Sequence, residues 1–364
     1  MEVKRDVAID ICKGIGIMLM VLGHSGLPKA ALDFIYMFHM PLFFFVSGYC
    51  FDERYLNMPV AFIKKKIKGL WLPYVKYSLL FLLLHNLFCY LNIYSTEYGY
   101  QGQGVDILSI GEIKNRVWSI VTDMSGTGQL LGGFWFLKQL LLGSVISLIA
   151  MKIIRKLRIR YHVFGFLNDV WGIVFLLLAS VIMNKCVLVY PCFNIQSLTV
   201  LAAAIFLVGH VYKEHKCCAS LLWSAIFAMF VCLGSVLMPR EMLNLQWFEI
   251  IPYFFIGVMG TVMTLNISRY ISIFAVRIGR FFSWAGRVTL IILTWHFLAF
   301  KIVSLFIIHK EHLQIEHLGE FPVIYEFAVQ GWWLVYFVAA MLITLSIARA
   351  KEILLVRHKN IAYQ

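Results

Sequence analysis

Ten apolar runs of close to twenty residues each, separated by clusters of lysine and arginine, leave this chain few ways to fold. A run of that length matches the bilayer hydrocarbon when it is helical. In that medium every backbone N–H and C=O must find a partner within the protein, so only helices and closed barrels span it. The runs are continuous rather than alternating, which argues against a barrel. Composition agrees: 61% of residues are hydrophobic, 14% are charged and the mean hydropathy is +0.81, where soluble domains carry about half and a quarter. The expectation is an all-α membrane protein, a bundle of about ten transmembrane helices forming a single domain over residues 1–364. The start briefly resembles a signal peptide, with Lys4 and Arg5 before an apolar stretch. Asp10 and Lys13 interrupt it and no small-x-small cleavage site follows, so it reads as a retained first helix.

Hydropathy places the spans near 9–27, 31–51, 70–91, 133–151, 163–183, 195–211, 220–238, 250–266, 289–307 and 331–348. The segments on the N-terminal side of the membrane hold 22 Lys and Arg residues, against 6 on the opposite side. Under the positive-inside rule both termini are then cytoplasmic. The net charge of +13 could suggest nucleic acid as a partner, but the basic residues fall between spans, where topology accounts for them. Eight cysteines show no spacing suited to zinc, and no metal is expected. Cys186 and Cys192 share one short outside loop, where an oxidising exterior permits a disulfide.

Three connecting segments stand out. "AFIKKKIKGLWLPY" (61–74) sets Lys64, Lys65, Lys66 and Lys68 at the inner surface, either as a topology anchor on anionic lipid or as a site for a cytosolic polyanion. "RYISIFAVRIGRFFSWAGR" (269–287), taken as one helix, gathers Arg269, Arg277, Arg280 and Arg287 within an arc of about 80°, the pattern of a helix lying on the cytoplasmic surface. The stretch 92–132 is far longer than a simple connection and carries an amphipathic run from Ile107 to Val121, expected as an outside lid or substrate platform.

The first span, "DICKGIGIMLMVLGH" (10–24), contains groups that hydrocarbon rejects at a cost of roughly 2.5–3.5 kcal/mol or more each. Lys13 and His24 are three helical turns apart, so they point the same way about 16 Å apart. Asp10 precedes Lys13 by one turn and can pair with it. The stripe therefore faces a bundle interior, with Gly14, Gly16 and Gly23 permitting close approach. The second span runs back carrying His39 in "FHMPLFFFVSGY", at a depth similar to His24, and Pro41 is expected to kink it there. Either imidazole could be a structural hydrogen-bonding group or a general base. Trp135 stands at the outer interface, where tryptophan is common. His296 reads as a packed polar contact, and Lys138 and Lys301 read as snorkelling side chains.

In these residues the sequence resembles the acyltransferase 3 family of membrane acyltransferases, and within it the surface-polysaccharide O-acetyltransferase or fucose 4-O-acetylase-like branch. The motifs are "IDICKGIGIMLMVLGH" (9–24), "FHMPLFFFVSGY" (38–49), "KKKIKGLWLPY" (64–74), "FWFLKQL" (134–140) and "WAGRVTLIILTWHF" (284–297). The resemblance implies a ten-span bundle in a bacterial inner membrane. Its members use cytosolic acetyl-CoA to acylate a hydroxyl of an extracytoplasmic glycan or lipid-linked sugar. The family's functional pair is an Arg followed after ten residues by a His. The His falls on His24 and the Arg position holds Lys13, which keeps the charge and loses the planar fork. The family's Arg-x-x-Arg is likewise replaced here, by Lys65 and Lys68 or by Lys66 and Gly69.

The resulting expectation assigns catalysis to His24, Lys13, Asp10 and His39, coenzyme binding to Lys65, Lys66 and Lys68, and substrate contact to Trp135. Two other classes stay open: a polysaccharide exporter, whose path the inner lysines and buried histidines would also suit, and an inactive scaffold in glycan assembly.

Overall fold

The computed structural model describes residues 6–161, 165–215 and 220–361. It is 81% helical, with no strands among the described residues. In chain order the helices begin with α1 (Val7–Gly23), α2 (Lys29–Tyr36), α3 (His39–Tyr49), α4 (Arg54–Asn57), α5 (Pro59–Lys66), α6 (Leu72–Leu83) and α7 (His85–Tyr90). Next come α8 (Ile110–Asp123), α9 (Trp135–Tyr161), α10 (Gly165–Lys185), α11 (Ser197–His215) and α12 (Leu221–Leu237). The last are α13 (Ile250–Phe274), α14 (Val276–Arg287), α15 (Thr289–Glu311), α16 (Tyr325–Phe327) and α17 (Trp333–Ile361). Among the described residues, six segments are long and apolar enough to cross a membrane: Lys29–Tyr49, Gln129–Leu157, Ser197–His215, Ile250–Phe274, Thr289–Glu311 and Tyr325–Leu355. Val170–Lys185 and Leu221–Leu237 are shorter apolar helices.

α1 starts where Asp6 caps it, its carboxylate accepting from the Ala8 N–H at 3.0 Å. It is pressed against α14 at a backbone-to-backbone crossing. A Cβ on Gly14 would lie 2.0 Å from the Phe282 carbonyl oxygen, and one on Gly286 would lie 1.8 Å from that of Asp10. α3 meets α11 in the same way. Cβ atoms on Gly48 and Gly209 would stand 1.8 Å and 2.0 Å from the carbonyl oxygens of Phe206 and Phe45. Lipid gives two helices no hydrophobic reason to associate, so close van der Waals approach through small residues holds them. These two crossings fix α1, which carries the polar stripe, and α3, which carries His39.

The start of α1 and the later part of α17 share one end of the bundle. Trp284 Nε1 on α14 donates to Glu352 Oε1 on α17 at 3.0 Å, beside the start of α1. We call this the terminal end and the opposite one the distal end.

Four expectations change. The second span is two helices, not one helix kinked at Pro41: α2 stops at Tyr36 and α3 starts at His39, with Pro41 in its first turn. A proline there has no N–H to donate four residues back, so the break falls where that bond is missing. The third span is interrupted as well. A π-turn (Ile67–Trp71) joins α5 to α6, and α6 ends at Leu83. The amphipathic surface helix is only α14, because Arg269 belongs to α13 and donates to Tyr212 Oη at 3.4 Å and to Asn266 Oδ1 at 3.3 Å.

The segment 92–132 is not simply an outside platform. Its run from Ile107 becomes α8, started by a capping box between Ser109 and Glu112, whose carboxyl is held below the usual carboxylate range by hydrogen bonds from the Ser109 hydroxyl and N–H. α8 lies along α6. Asn86 exchanges two hydrogen bonds with the Leu108 backbone (3.0 and 2.9 Å), and Trp71 Nε1 donates to the Val121 carbonyl at 3.1 Å. An apolar stripe ending in Ile120 and Met124, both buried, has found a helix to pack on.

Cys186 carries a free thiol, and the side chain of Cys192 lies outside the described residues.

Candidate functional site

The stripe on α1 forms one wall of an internal cavity of about 380 Å³, within the ~300–1,000 Å³ typical of small-molecule sites. Toward the terminal end the cavity is bounded by Lys13, Ser47, Cys50 and Gly69. Ile17 and Met20 carry the wall upward to His24, with Tyr36 and His39 beside it. Trp135, the first residue of α9, lines the same space with Phe136 and Leu140. Glu241, Met242 and Leu243 line the distal end.

The predicted Asp10–Lys13 pair is formed. Lys13 Nζ lies 2.7 Å from Asp10 Oδ1, and Asp10 is buried while Lys13 keeps a quarter of its side chain open. The ammonium therefore faces the cavity with a buried counter-ion behind it. Such a pair tolerates burial because each charge solvates the other, and removal of either partner is costly.

The lysine cluster divides. Lys66 turns into the bundle, where its Nζ donates to Ser47 Oγ at 2.8 Å and lies 5.3 Å and 5.6 Å from the Phe62 and Phe206 ring centres. Ser47 lines the cavity, so Lys66 sits at its terminal entrance. Lys65 is exposed and leans on Tyr55, its Nζ 3.3 Å from the hydroxyl. Lys68 is exposed on the π-turn next to Gly69, another cavity residue.

His39 and His296 are held alike. His39 Nδ1 lies 3.0 Å from the Ile35 carbonyl, and His296 Nδ1 lies 3.1 Å and 3.0 Å from those of Ile292 and Leu293. A carbonyl only accepts, so Nδ1 carries the proton in both rings and Nε2 is left as a lone pair. His296 Nε2 is buried and has no hydrogen-bond partner among the described residues. His24, the residue that closes α1, stacks on His296 with ring centres 5.7 Å apart and planes at 27°. Phe297 lies 5.0 Å from His24, and Tyr36, whose hydroxyl donates to the Gly23 carbonyl at 3.3 Å, stands 6.5 Å from it and 5.2 Å from His39.

The structure thus gathers His24, Lys13, His39 and Trp135 around one cavity, keeps Asp10 directly behind Lys13, and brings Lys66 but not Lys65 to the entrance. It also adds two residues that the sequence reading did not select. His296, taken for a packed contact, is the stacking partner of His24. Tyr36 lies between the two predicted histidines. The family-like segment "LTWHF" was the signal available for His296; no spacing rule connects residues 24 and 296. Lys301 and Lys138 do not snorkel. Both are buried, and Lys301 Nζ donates to the carbonyls of Leu318 (2.8 Å) and Glu320. Those two bonds hold the 315–320 turn onto α15.

Outside the cavity, donor atoms of Glu53, His210 and Glu214 come within 4.8 Å of one another, the one such grouping among the described residues. Both carboxylates are solvent-exposed, and the grouping is an ionic cluster rather than part of the site.

The family model for the acyltransferase domain of the acyltransferase 3 type matches residues 6–349. The chain belongs to the acyltransferase 3 family. No curated protein and no solved structure matches it. As a member of this family of membrane acyltransferases, it has the α1 stripe, the histidine stack and the entrance lysine all within the matched region.

Proposed function

We propose that the protein moves an acetyl group from cytosolic acetyl-CoA to a hydroxyl of an extracytoplasmic glycan or lipid-linked sugar, in a bacterial cytoplasmic membrane. The observation that carries this reading is the single cavity shared by Lys13 and His24. Transfer across a membrane needs a thioester brought from one side and a hydroxyl from the other, and a cavity with a cation at one end and an imidazole toward the other is suited to that. The charge asymmetry of the loops makes the terminal end the cytoplasmic one.

In this reading the CoA phosphates dock on Lys66, with Lys65 and Lys68 on the approach, as point charges rather than forks. The pantetheine arm enters past Ser47 and Lys13. His24 takes the proton of the acceptor hydroxyl as its oxygen adds to the thioester carbonyl. The tetrahedral intermediate then collapses, the C–S bond breaks, and the departing thiolate recovers the proton from His24 as CoA-SH. General-base help of this kind contributes roughly 10²–10⁴-fold. His296 holds the His24 ring plane by stacking, and His39 supplies a fixed lone pair on the same cavity wall. Trp135 gives the cavity a flat apolar side against which a pantetheine chain or a sugar face can lie.

The experiment is mass spectrometry of surface glycan from cells with the wild-type gene, without it, and with His24→Ala. The expected result is glycan lacking one acetyl mass in both altered strains, with glycan amount unchanged. Loss of surface glycan altogether would favour an exporter. Unaltered acetylation in a well-expressed His24→Ala strain would remove His24 from the reaction.

A further inference from the structure

The cavity's distal mouth carries a charge that the reading so far does not use. Glu241, between α12 and α13, lines it beside Met242, Leu243 and Tyr36. It is half-buried, and its carboxylate accepts a hydrogen bond from Asn244 Nδ2. Three cations of this end are engaged with other groups. Arg240, its neighbour in the chain, turns away to Glu249, with Nε 2.7 Å from Oε1; Glu249 is buried and also accepts the Gln246 N–H at 2.8 Å. Lys29 pairs with Asp33 at 2.7 Å, and Lys185 Nζ lies 5.0 Å from the Trp247 ring centre. Among the described residues Glu241 forms no ion pair. The adjacent carboxylate has thus been given a cation and a backbone donor, while the one facing the cavity has been given a single amide.

We propose that Glu241 is the acceptor-binding residue of this site and that it restricts the acceptor to neutral polyhydroxy compounds, excluding acidic sugars. The proposal rests on the acyl-transfer reading above and names the substrate class of its acceptor side. An ionised carboxylate offers only lone pairs, so its partners are donors, and neighbouring hydroxyls of a sugar ring supply two. Hydrogen bonds to a charged group are also the stronger kind. A uronic acid at the same mouth would bring a second negative charge to a partly desolvated carboxylate, an arrangement that rejects a partner rather than merely failing to hold it. The cavity then has opposite charge at its two ends, with Lys13 and Lys66 toward the terminal end and Glu241 at the distal one, separated by mainly apolar walls. That polarity draws a polyanionic donor to one mouth and turns anions away from the other, so charge alone keeps donor and acceptor from exchanging places.

The test uses the full-length protein in liposomes with radiolabelled acetyl-CoA and two probe acceptors, methyl β-glucopyranoside and methyl β-glucopyranosiduronic acid. Wild type is expected to acetylate the glucoside and refuse the uronic acid. Glu241→Ala should raise KM for the glucoside by about 10-fold or more, the loss of its charge-assisted hydrogen bonds, with KM for acetyl-CoA unchanged. Glu241→Gln, which keeps the shape and removes the charge, should begin to use the uronic acid. Thermal unfolding of each variant separates a folding defect from a binding one, and the isosteric Gln variant carries the test if the Ala variant fails to fold. Equal use of both acceptors by wild type, or variants with the wild-type KM for the glucoside and continued refusal of the uronic acid, would overturn the role of Glu241 alone. A wild-type protein that acetylates neither probe would overturn the acyl-transfer-to-sugar reading itself.

Discussion

The two ends of the cavity are built on different principles. At the terminal end the groups are charged, long and tied individually: Lys13 to Asp10, Lys66 to Ser47, Lys65 to Tyr55. Toward the distal end, beside Glu241, they are mostly rings packed on one another and held by backbone carbonyls: His24 on His296, His296 on carbonyls of its own α15, and His39 on the Ile35 carbonyl of α2 beside Tyr36. Point charges on flexible stems accommodate a polyanion in many poses, whereas an imidazole held in one plane by stacking suits one proton transfer. The difference teaches that substitutions at the two ends should fail differently, gradually at one and all at once at the other.

The largest effect belongs to the ring end. His24→Ala should lower acetyl transfer by roughly 10²–10⁴-fold while purified protein keeps its unfolding temperature; a loss of less than about 10-fold would erase the contrast between the ends. Next is the crossing that aims α1. Gly286→Ala should destabilise the fold by about 1–3 kcal/mol or more, because its Cβ would stand 1.8 Å from the Asp10 carbonyl oxygen. The readout is thermal unfolding in detergent, and an unchanged melting temperature would mean that α1 and α14 do not meet as described.

Lys13→Ala should come third, with both stability and activity reduced, since it takes the Lys13 ammonium away from the buried Asp10 carboxylate. Lys13→Arg should be tolerated. Adding Asp10→Asn to Lys13→Ala separates the two roles: recovery of stability without activity makes the cation functional, and recovery of both makes the pair structural. The smallest and most graded effect is expected at the entrance. Replacing Lys65, Lys66 and Lys68 by Gln should raise KM for acetyl-CoA in inside-out vesicles, more at high salt, where the residual attraction is screened. Lys66→Gln should account for most of it, since only Lys66 is bonded to a residue of the cavity wall. If Lys68→Gln matches it, the entrance is the exposed surface and not the Ser47 side.

Much of the site could be read from local spacing, and what was missed has a common cause. Asp10, Lys13 and His24 share one helix, so a rise of 1.5 Å and a turn of 100° per residue were enough to predict a pair and a common face. Lys301 and Lys138 were misread because snorkelling is the general behaviour of a lysine in a span; the carbonyls of Leu318 and Glu320 that hold Lys301 come from a turn no local rule connects to it. Arg269 was assigned to a surface helix because its arc with Arg277 and Arg280 is a property of an unbroken helix. The chain breaks that helix at Ala275.

By itself the sequence determined the medium, the helical class and the polar stripe of α1, because the cost of an unsatisfied backbone or a buried charge in hydrocarbon is paid residue by residue. Only the tertiary structure decided which groups meet. The stacking of His24 on His296 spans 272 positions, the lysine that enters the bundle is chosen by Ser47, and α8 lies along α6 because that flank has room for its apolar stripe. The first two involve α1 and α3, which are held by the glycine crossings of α1 with α14 and α3 with α11. In a membrane such contacts come from shape rather than from hydrophobicity, and shape is a property of two surfaces together.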